Sequence, residues 1–187
     1  MNKYYAGIGA RVMPEEIRKK FFQIANRLAA EGWTLRSGGA DGADAAFEHG
    51  CDMLQGKKEI FLPWKGFNKS TSPLYLDRPI NPRLLEIARN LYPRWFGAGE
   101  GTRRLHTRNV QQILGKEALD ASEYSRFVCC YTDRSYKDVQ AIGGTMFGIK
   151  LAEAHNIPVF NFFLEGEEDH FEEYLEQLIG DGRQSYP

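Results

Sequence analysis

The sequence predicts an α/β domain: a parallel sheet with helices packed on both of its faces. Three observations carry this. Short apolar runs alternate with stretches of helical periodicity. Two glycine-rich turns each stand between a strand and a helix. The fourth apolar run is nearly unbroken, as in a central parallel strand. The chain of 187 residues is read as one domain, 1–187, a size that buries roughly 70% of the unfolded surface.

The first strand, 4–9, runs into Ala10 and Arg11. A helix follows Pro14 with apolar positions Ile17, Phe21, Phe22, Ile24, Ala25 and Leu28, and Gly32 stops it. Proline near a helix start and glycine past its end is the expected asymmetry. The second strand, 33–35, leads into Arg36-Ser37-Gly38-Gly39-Ala40-Asp41-Gly42-Ala43-Asp44, then a helix of about ten residues that turns Phe47 and Met53 inward. A third strand, 59–63, closes this half, with right-handed crossovers between parallel neighbours.

From about 64 to 101 the periodicity loosens into an insert rich in arginine and aromatics, with Trp64, Phe67, Tyr75, Tyr92, Trp95 and Phe96 and one short helix near 82–90. Long excursions from a compact domain are usually functional. These aromatics either stack on bases, at about 1–3 kcal/mol per base, or pack the insert onto the domain. A helix after Thr102 carries Arg103, Arg104, His106, Arg108 and Asn109 before Val110, Ile113 and Leu114; beside its arginines, His106 reads as a surface residue. The fourth strand, 126–131, leads to Thr132-Asp133-Arg134. A second glycine turn, Gly143-Gly144-Thr145, opens the helix 146–155, and a last strand spans 158–163. The acidic tail, with Phe171, Tyr174, Leu175 and Leu178 at helical spacing, reads as an amphipathic surface helix.

Composition narrows the class. Hydrophobic residues make up 42% and charged residues 26%, and no apolar run approaches the roughly 18–20 residues of a membrane helix. Three cysteines, two of them adjacent in a strand, form neither a disulfide framework nor a metal site. The start runs directly into a strand without a signal peptide, so a cytoplasmic protein is expected. The net charge of -1 hides an asymmetry. Residues 78–108 hold seven arginines and two glutamates, whereas 165–181 hold eight acids and no Lys or Arg. The basic stretch is a candidate nucleic-acid face or a solvated, ion-paired surface.

In an open parallel sheet, ligands bind beyond the carboxyl ends of the strands. Four loops are expected to meet there: Gly9-Ala10-Arg11, Ser37-Gly38-Gly39, Thr132-Asp133 and Gly143-Gly144-Thr145. Glycine loops expose backbone N–H groups, and a helix N-terminus adds its dipole, so the matching chemistry is anion binding, above all phosphate. The dipole contributes about 0.3–1 kcal/mol and each direct N–H contact about 1.5–3 kcal/mol. Asp41 and Asp44 read equally as helix caps, worth about 1 kcal/mol, or as ligand contacts, Asp44 to a ribose.

Gly7-Ile8-Gly9-Ala10-Arg11, Ser37-Gly38-Gly39-Ala40-Asp41-Gly42-Ala43-Asp44, Arg108-Asn109 and Gly143-Gly144-Thr145, in this order, resemble the SLOG superfamily, which includes the DprA/Smf DNA-processing proteins and the LOG nucleotide phosphoribohydrolases. The resemblance covers nearly the whole chain and is closest to small, often phage-encoded, DprA-like proteins. It implies a Rossmann-like fold, a nucleotide-facing second-strand motif of pattern S-G-G-x-x-G-x-D, and a homo-oligomer. Arg11 falls where the family often has the arginine of a G-S-R turn, with Ala10 in place of the serine. LOG hydrolases carry a catalytic glutamate in P-G-G-x-G-T-x-x-E. Here Phe147, Gly148 and Ile149 follow Thr145, and that glutamate is missing from its place.

Three readings follow. In the leading one the loops bind a nucleotide or nucleotide-derived ligand, with Arg11, Ser37, Gly38, Gly39 and Thr145 on phosphate and no cofactor or metal. In the second, residues 78–108 bind single-stranded DNA in the DprA manner. In the third, the protein cleaves a nucleotide, with Asp41, Asp44, His106 and Asp133 as candidate acids and bases, though no pair among them has a spacing that fixes a mechanism.

Overall fold

The structure, a computed structural model, describes residues 2–133 and 143–183, the side chains of 180–183 excepted. Strands β1 (Tyr4–Gly9), β2 (Thr34–Ser37), β3 (Lys58–Ile60), β4 (Val128–Tyr131) and β5 (Val159–Asn161) form a parallel sheet in the order β3-β2-β1-β4-β5. Ala6 on β1 stands opposite Arg36 on β2 and Val128 on β4. The chain builds outward from β1 to β3 and then returns to place β4 on the other side of β1. The order therefore reverses between β1 and β4.

Alternation along the strands sorts two cores. Tyr5 and Cys129 face one side of the sheet, where helices α1 (Glu15–Ala30), α2 (Ala43–Asp52) and α6 (Glu167–Arg183) contribute Phe21, Phe47 and Phe171. Ala6, Ile8 and Cys130 face the other side, covered by α3 (Pro82–Leu91), α4 (Glu100–Leu114) and α5 (Gly144–Ala154) with Leu84, Ile113 and Phe147. Gly7 lets the sheet approach α2, since a Cβ there would lie 2.5 Å from the Phe47 ring. The α/β class expected from the sequence is the observed one.

Local differences have local causes. Met53, expected to point inward with Phe47, is 67% exposed, because α2 ends at Asp52 and the residue falls beyond the helical periodicity. Strand β2 extends to Ser37, and α2 begins at Ala43, so the glycine loop is only five residues long. The expected third strand shortens to Lys58–Ile60, and Leu62 bridges to Tyr75 in the insert instead. His106, expected on the surface, is buried against Tyr92, with ring centroids 4.0 Å apart. Among the described residues, no helix is long and apolar enough to cross a membrane.

The insert packs on the domain through the cations that seemed to advertise a binding face. Arg103 donates to the Trp95 and Phe96 carbonyls at 2.9 and 3.0 Å, Arg104 to those of Pro63 and Leu76 at 2.8 and 2.5 Å, and Arg83 to Ala118 O at 2.5 Å. Trp95 is buried and Tyr92 half-buried, while Phe96 is 84% exposed.

Phe47 is the keystone of the first core. Its ring stacks on Phe21 at 4.3 Å and meets Tyr5 edge-on at 6.3 Å. Phe47→Ala is expected to lower unfolding free energy by about 3–5 kcal/mol, read as a fall in the urea midpoint with an unchanged m-value.

Candidate functional site

The loops after β1 and β2 are tied together from below. Ser37 is fully buried, and its hydroxyl donates to Gly7 O at 2.7 Å, fastening the end of β2 to β1. Ala10 N–H donates to Tyr131 O at 2.9 Å, and Ala43 N–H at the start of α2 donates to Ala10 O at 3.1 Å. Gly42 makes this junction possible. Its φ is +81°, and a Cβ would stand 2.4 Å from Ala10 O.

The glycine loop does hold an anion, and that anion belongs to the chain. Asp44, in the first turn of α2, turns its carboxylate back so that Oδ2 accepts from Gly38 N at 3.1 Å and Ala40 N at 3.4 Å. The partner that faces this carboxylate is Arg108 on α4, with Nη1 3.9 Å from Oδ2. Both side chains are about 6% exposed. Gly38 has no side chain because Arg108 occupies the space, an ideal Cβ lying 1.3 Å from Nη1. The partners of Gln112 set its amide with the oxygen toward Gly38 N (2.9 Å) and Arg108 Nη1 (3.2 Å), and with the nitrogen toward Asn109 Oδ1 (3.0 Å). Asn109 Nδ2 in turn donates to Gly144 O at 3.2 Å, joining α4 to the start of α5.

Above this network lies a cleft of about 320 Å³, lined by Gly9, Ala10 and Arg11 after β1, by Asp44 and by Gly144 and Thr145 at the start of α5. Its α4 wall presents Thr102, His106, Arg108, Asn109 and Gln112. This is the crevice between β1 and β4 where the strand order reverses, the place at which open α/β sheets bind ligands. Nine of the residues singled out in the sequence line it: Gly9, Ala10, Arg11, Asp44, His106, Arg108, Asn109, Gly144 and Thr145. Ser37, Gly38 and Gly39 stand behind its wall. Asp41 points elsewhere, accepting from Asn68 Nδ2 at 3.1 Å. Gly143 caps α5 and is exposed, as is Asp133 just past β4. Residues 134–142 lie outside the described residues.

Sequence reasoning missed Thr102 and Gln112. Gln112 follows Arg108 by one helical turn and His106 precedes it by less than two, so helical spacing from Arg108 would have found this polar face. Burial of such a face is costly, and it leaves two orphans: His106 Nδ1 and Arg108 Nε are buried without a hydrogen-bond partner among the described residues.

Electrostatics follow from this burial. Desolvation raises the Asp44 carboxyl from 3.8 to about 6, against the pull of Arg108 and of the Ala40 and Gly38 amides. Desolvation lowers Arg108 to about 10, offset by Asp44 and reinforced by Arg11, so the guanidinium remains charged at neutral pH. Desolvation and then Arg108 lower His106 to about 4, leaving it a neutral imidazole. The cleft thus presents two guanidinium groups, one titratable carboxylate and the N-terminus of α5. Among the described residues no cluster of His, Cys, Asp or Glu is arranged to hold a metal ion.

No family model and no curated protein matches the sequence. Among solved structures the chain is similar to DNA processing protein A from Helicobacter pylori, a protein described for its single-stranded DNA binding mode. The identity is 16% and the TM-score 0.50, over 98% of this chain and 81% of that one. At that identity the likeness is one of fold, and it agrees with the DprA-like architecture implied by the glycine motifs.

The two perturbed groups act oppositely on stability. Between pH 3.8 and about 6 the folded protein keeps a proton on Asp44 that the unfolded chain releases, so this contribution falls as pH rises. Between about 4 and 6.5 the unfolded chain holds a proton on His106 that the folded protein lacks, so that contribution rises with pH. In the wild type the two largely cancel. Relative to it, His106→Phe should make stability fall on going from pH 4 to 6.5, and Asp44→Asn should make it rise, each by on the order of 2–3 kcal/mol. Urea midpoints measured across that range check both signs.

Proposed function

We propose that the protein binds a nucleotide or nucleotide-derived ligand, with its phosphate held in the cleft between β1 and β4. The observation that carries this reading is the convergence of Arg11, Arg108 and the N-terminus of α5 on one cleft at the reversal of strand order. Guanidinium groups and helix N-termini are the two protein features best matched to phosphate oxygens. The volume of about 320 Å³ falls at the small end of ligand pockets and is larger than a bare anion needs. In this reading Arg11, Arg108, Asn109, Gly144 and Thr145 contact the ligand, and Gly9 and Ala10 shape its bed. Gly38 acts through Asp44, whose carboxylate its N–H and that of Ala40 hold in place, and Ser37 acts by fastening the end of β2 to β1.

A second reading is single-stranded DNA binding, favoured by the neighbour's described activity and by a groove of about 1090 Å³ lined by Arg78, Arg89, Arg103, Arg104 and Trp95. It is the weaker of the two because Arg103 and Arg104 already donate to backbone carbonyls and Trp95 is buried.

The test is native mass spectrometry of the protein as purified, followed by titration with adenosine 5′-monophosphate as a probe. Retained nucleotide, or binding of the probe that Arg11→Ala weakens about tenfold or more, supports the cleft; Arg11 is exposed, so the urea midpoint should hardly change. An empty protein indifferent to the probe overturns the reading. If that empty protein shifts labelled single-stranded DNA and releases it steeply as salt rises, the second reading replaces it.

A further inference from the structure

Resting on the cleft as a phosphate site, one feature inside it points to the kind of phosphate it accepts. Asp44 lines the cleft with a carboxylate only 4% exposed as a residue, and only one of its oxygens is spent: Oδ2 takes both loop N–H groups, while Oδ1 makes no hydrogen bond among the described residues. The charged and titratable groups around it come from every neighbouring element. Arg108 and the neutral His106 stand on α4, Arg11 on the turn after β1, and Glu48 one turn further along α2, while α5 contributes its N-terminus.

With Asp44 ionised, the two arginines carry one uncompensated positive charge between them. A fully ionised dianion in the same cleft would overcompensate it and stand beside a second buried anion. Like charges in one desolvated site force one of them to keep a proton. We propose that Asp44 makes the cleft selective for a phosphate monoester, through one proton shared between its carboxyl and a phosphate oxygen, over anions that hold no proton near neutral pH. Sulfate is excluded as a dianion that overcompensates the arginines, and phosphodiesters, whose single charge does not, are disfavoured because they carry no P–OH to bridge to the Asp44 carboxylate; the terminal phosphate of a nucleotide belongs to the accepted class. A phosphate monoester has its second pKa at about 6, close to the value of about 6 to which burial raises Asp44, so the proton is held comparably by both partners. No covalent bond is made or broken: the O–H···O bridge takes the proton that the phosphate or Asp44 carries or, where both are ionised, one proton drawn from solvent on binding.

The experiment is calorimetric titration of the full chain with inorganic phosphate, sulfate and dimethyl phosphate at pH 6.5 and pH 9. Phosphate is expected to bind at least tenfold tighter than the other two at pH 6.5, and the preference over sulfate should collapse at pH 9, where neither partner keeps the proton. Asp44→Asn retains an acceptor for the Gly38 and Ala40 amides, and should bring phosphate and sulfate to within about twofold at pH 6.5. Equal affinities in the wild type, a preference unchanged at pH 9, or one that survives in Asp44→Asn overturns the inference while leaving the phosphate site standing. Failure of all three anions to bind overturns the site itself, and the inference with it. The pH comparison needs no variant and decides the matter should Asp44→Asn not fold.

Discussion

A buried carboxylate, Asp44, is the constraint on which this site depends. An ion removed from water must be hydrogen-bonded and charge-compensated on each side, and breaking such a buried pair costs about 3–5 kcal/mol. Here the two requirements are met by different parts of the chain. The loop from Gly38 to Ala40 supplies two N–H donors, and Arg108 on α4 supplies the charge. That division explains why Gly38 carries no side chain and why a helix in the second core tolerates Arg108, Asn109 and Gln112 on its buried side. It also locks α4 to the glycine loop, although the two are separated by the whole insert.

Topology then turns this lock into a cleft. Because β4 returns to the opposite side of β1 from β2, α2 and α5 rise on opposite faces of the sheet and diverge above β1. Backbone from Gly9 to Arg11 emerges into the gap, and α4 closes its side. The close approach of the elements below rests on missing side chains, a Cβ at Gly9 lying 2.7 Å from that of Ala43 and one at Gly148 lying 2.7 Å from Ile8. Rigid packing beneath and donors above are what a preorganised anion site requires.

Much of this was legible in the residues. The strand and helix alternation, the start of β1 at Tyr4 and the meeting of the loops after β1 and before α5 follow from periodicity and from glycine placement. What periodicity could not supply was the partner of the glycine loop. Ser37-Gly38-Gly39 reads the same whether its N–H groups face a ligand or an internal carboxylate, and only the distance from Gly38 N to Asp44 Oδ2 distinguishes the two. The burial of His106 was hidden for a related reason: a histidine beside arginines looks solvent-facing until Tyr92, fourteen residues earlier in the chain, folds over it. Met53 failed in the other direction, since apolar spacing carries no information once the helix has ended.

The basic stretch shows why formal charge is a poor guide to a binding face. Seven arginines between 78 and 108 suggest a nucleic-acid surface, but a guanidinium offers five N–H donors, and what matters to a phosphate is how many remain. Arg83, Arg103 and Arg104 direct theirs at backbone carbonyls that an irregular segment cannot pair by regular secondary structure, and Arg78 pairs with Glu100. An insert of turns needs such donors to bury its carbonyls, so arginine is enriched there for the sake of the fold. Arg108 is different in kind: its Nε is orphaned, its Nη1 faces a carboxylate whose proton affinity sits near neutrality, and it lines the cleft. Of the seven, Arg108, the last, is the one that reaches the cleft, and it stands there with the exposed Arg11, which lies outside the segment where the sequence counts the most charge.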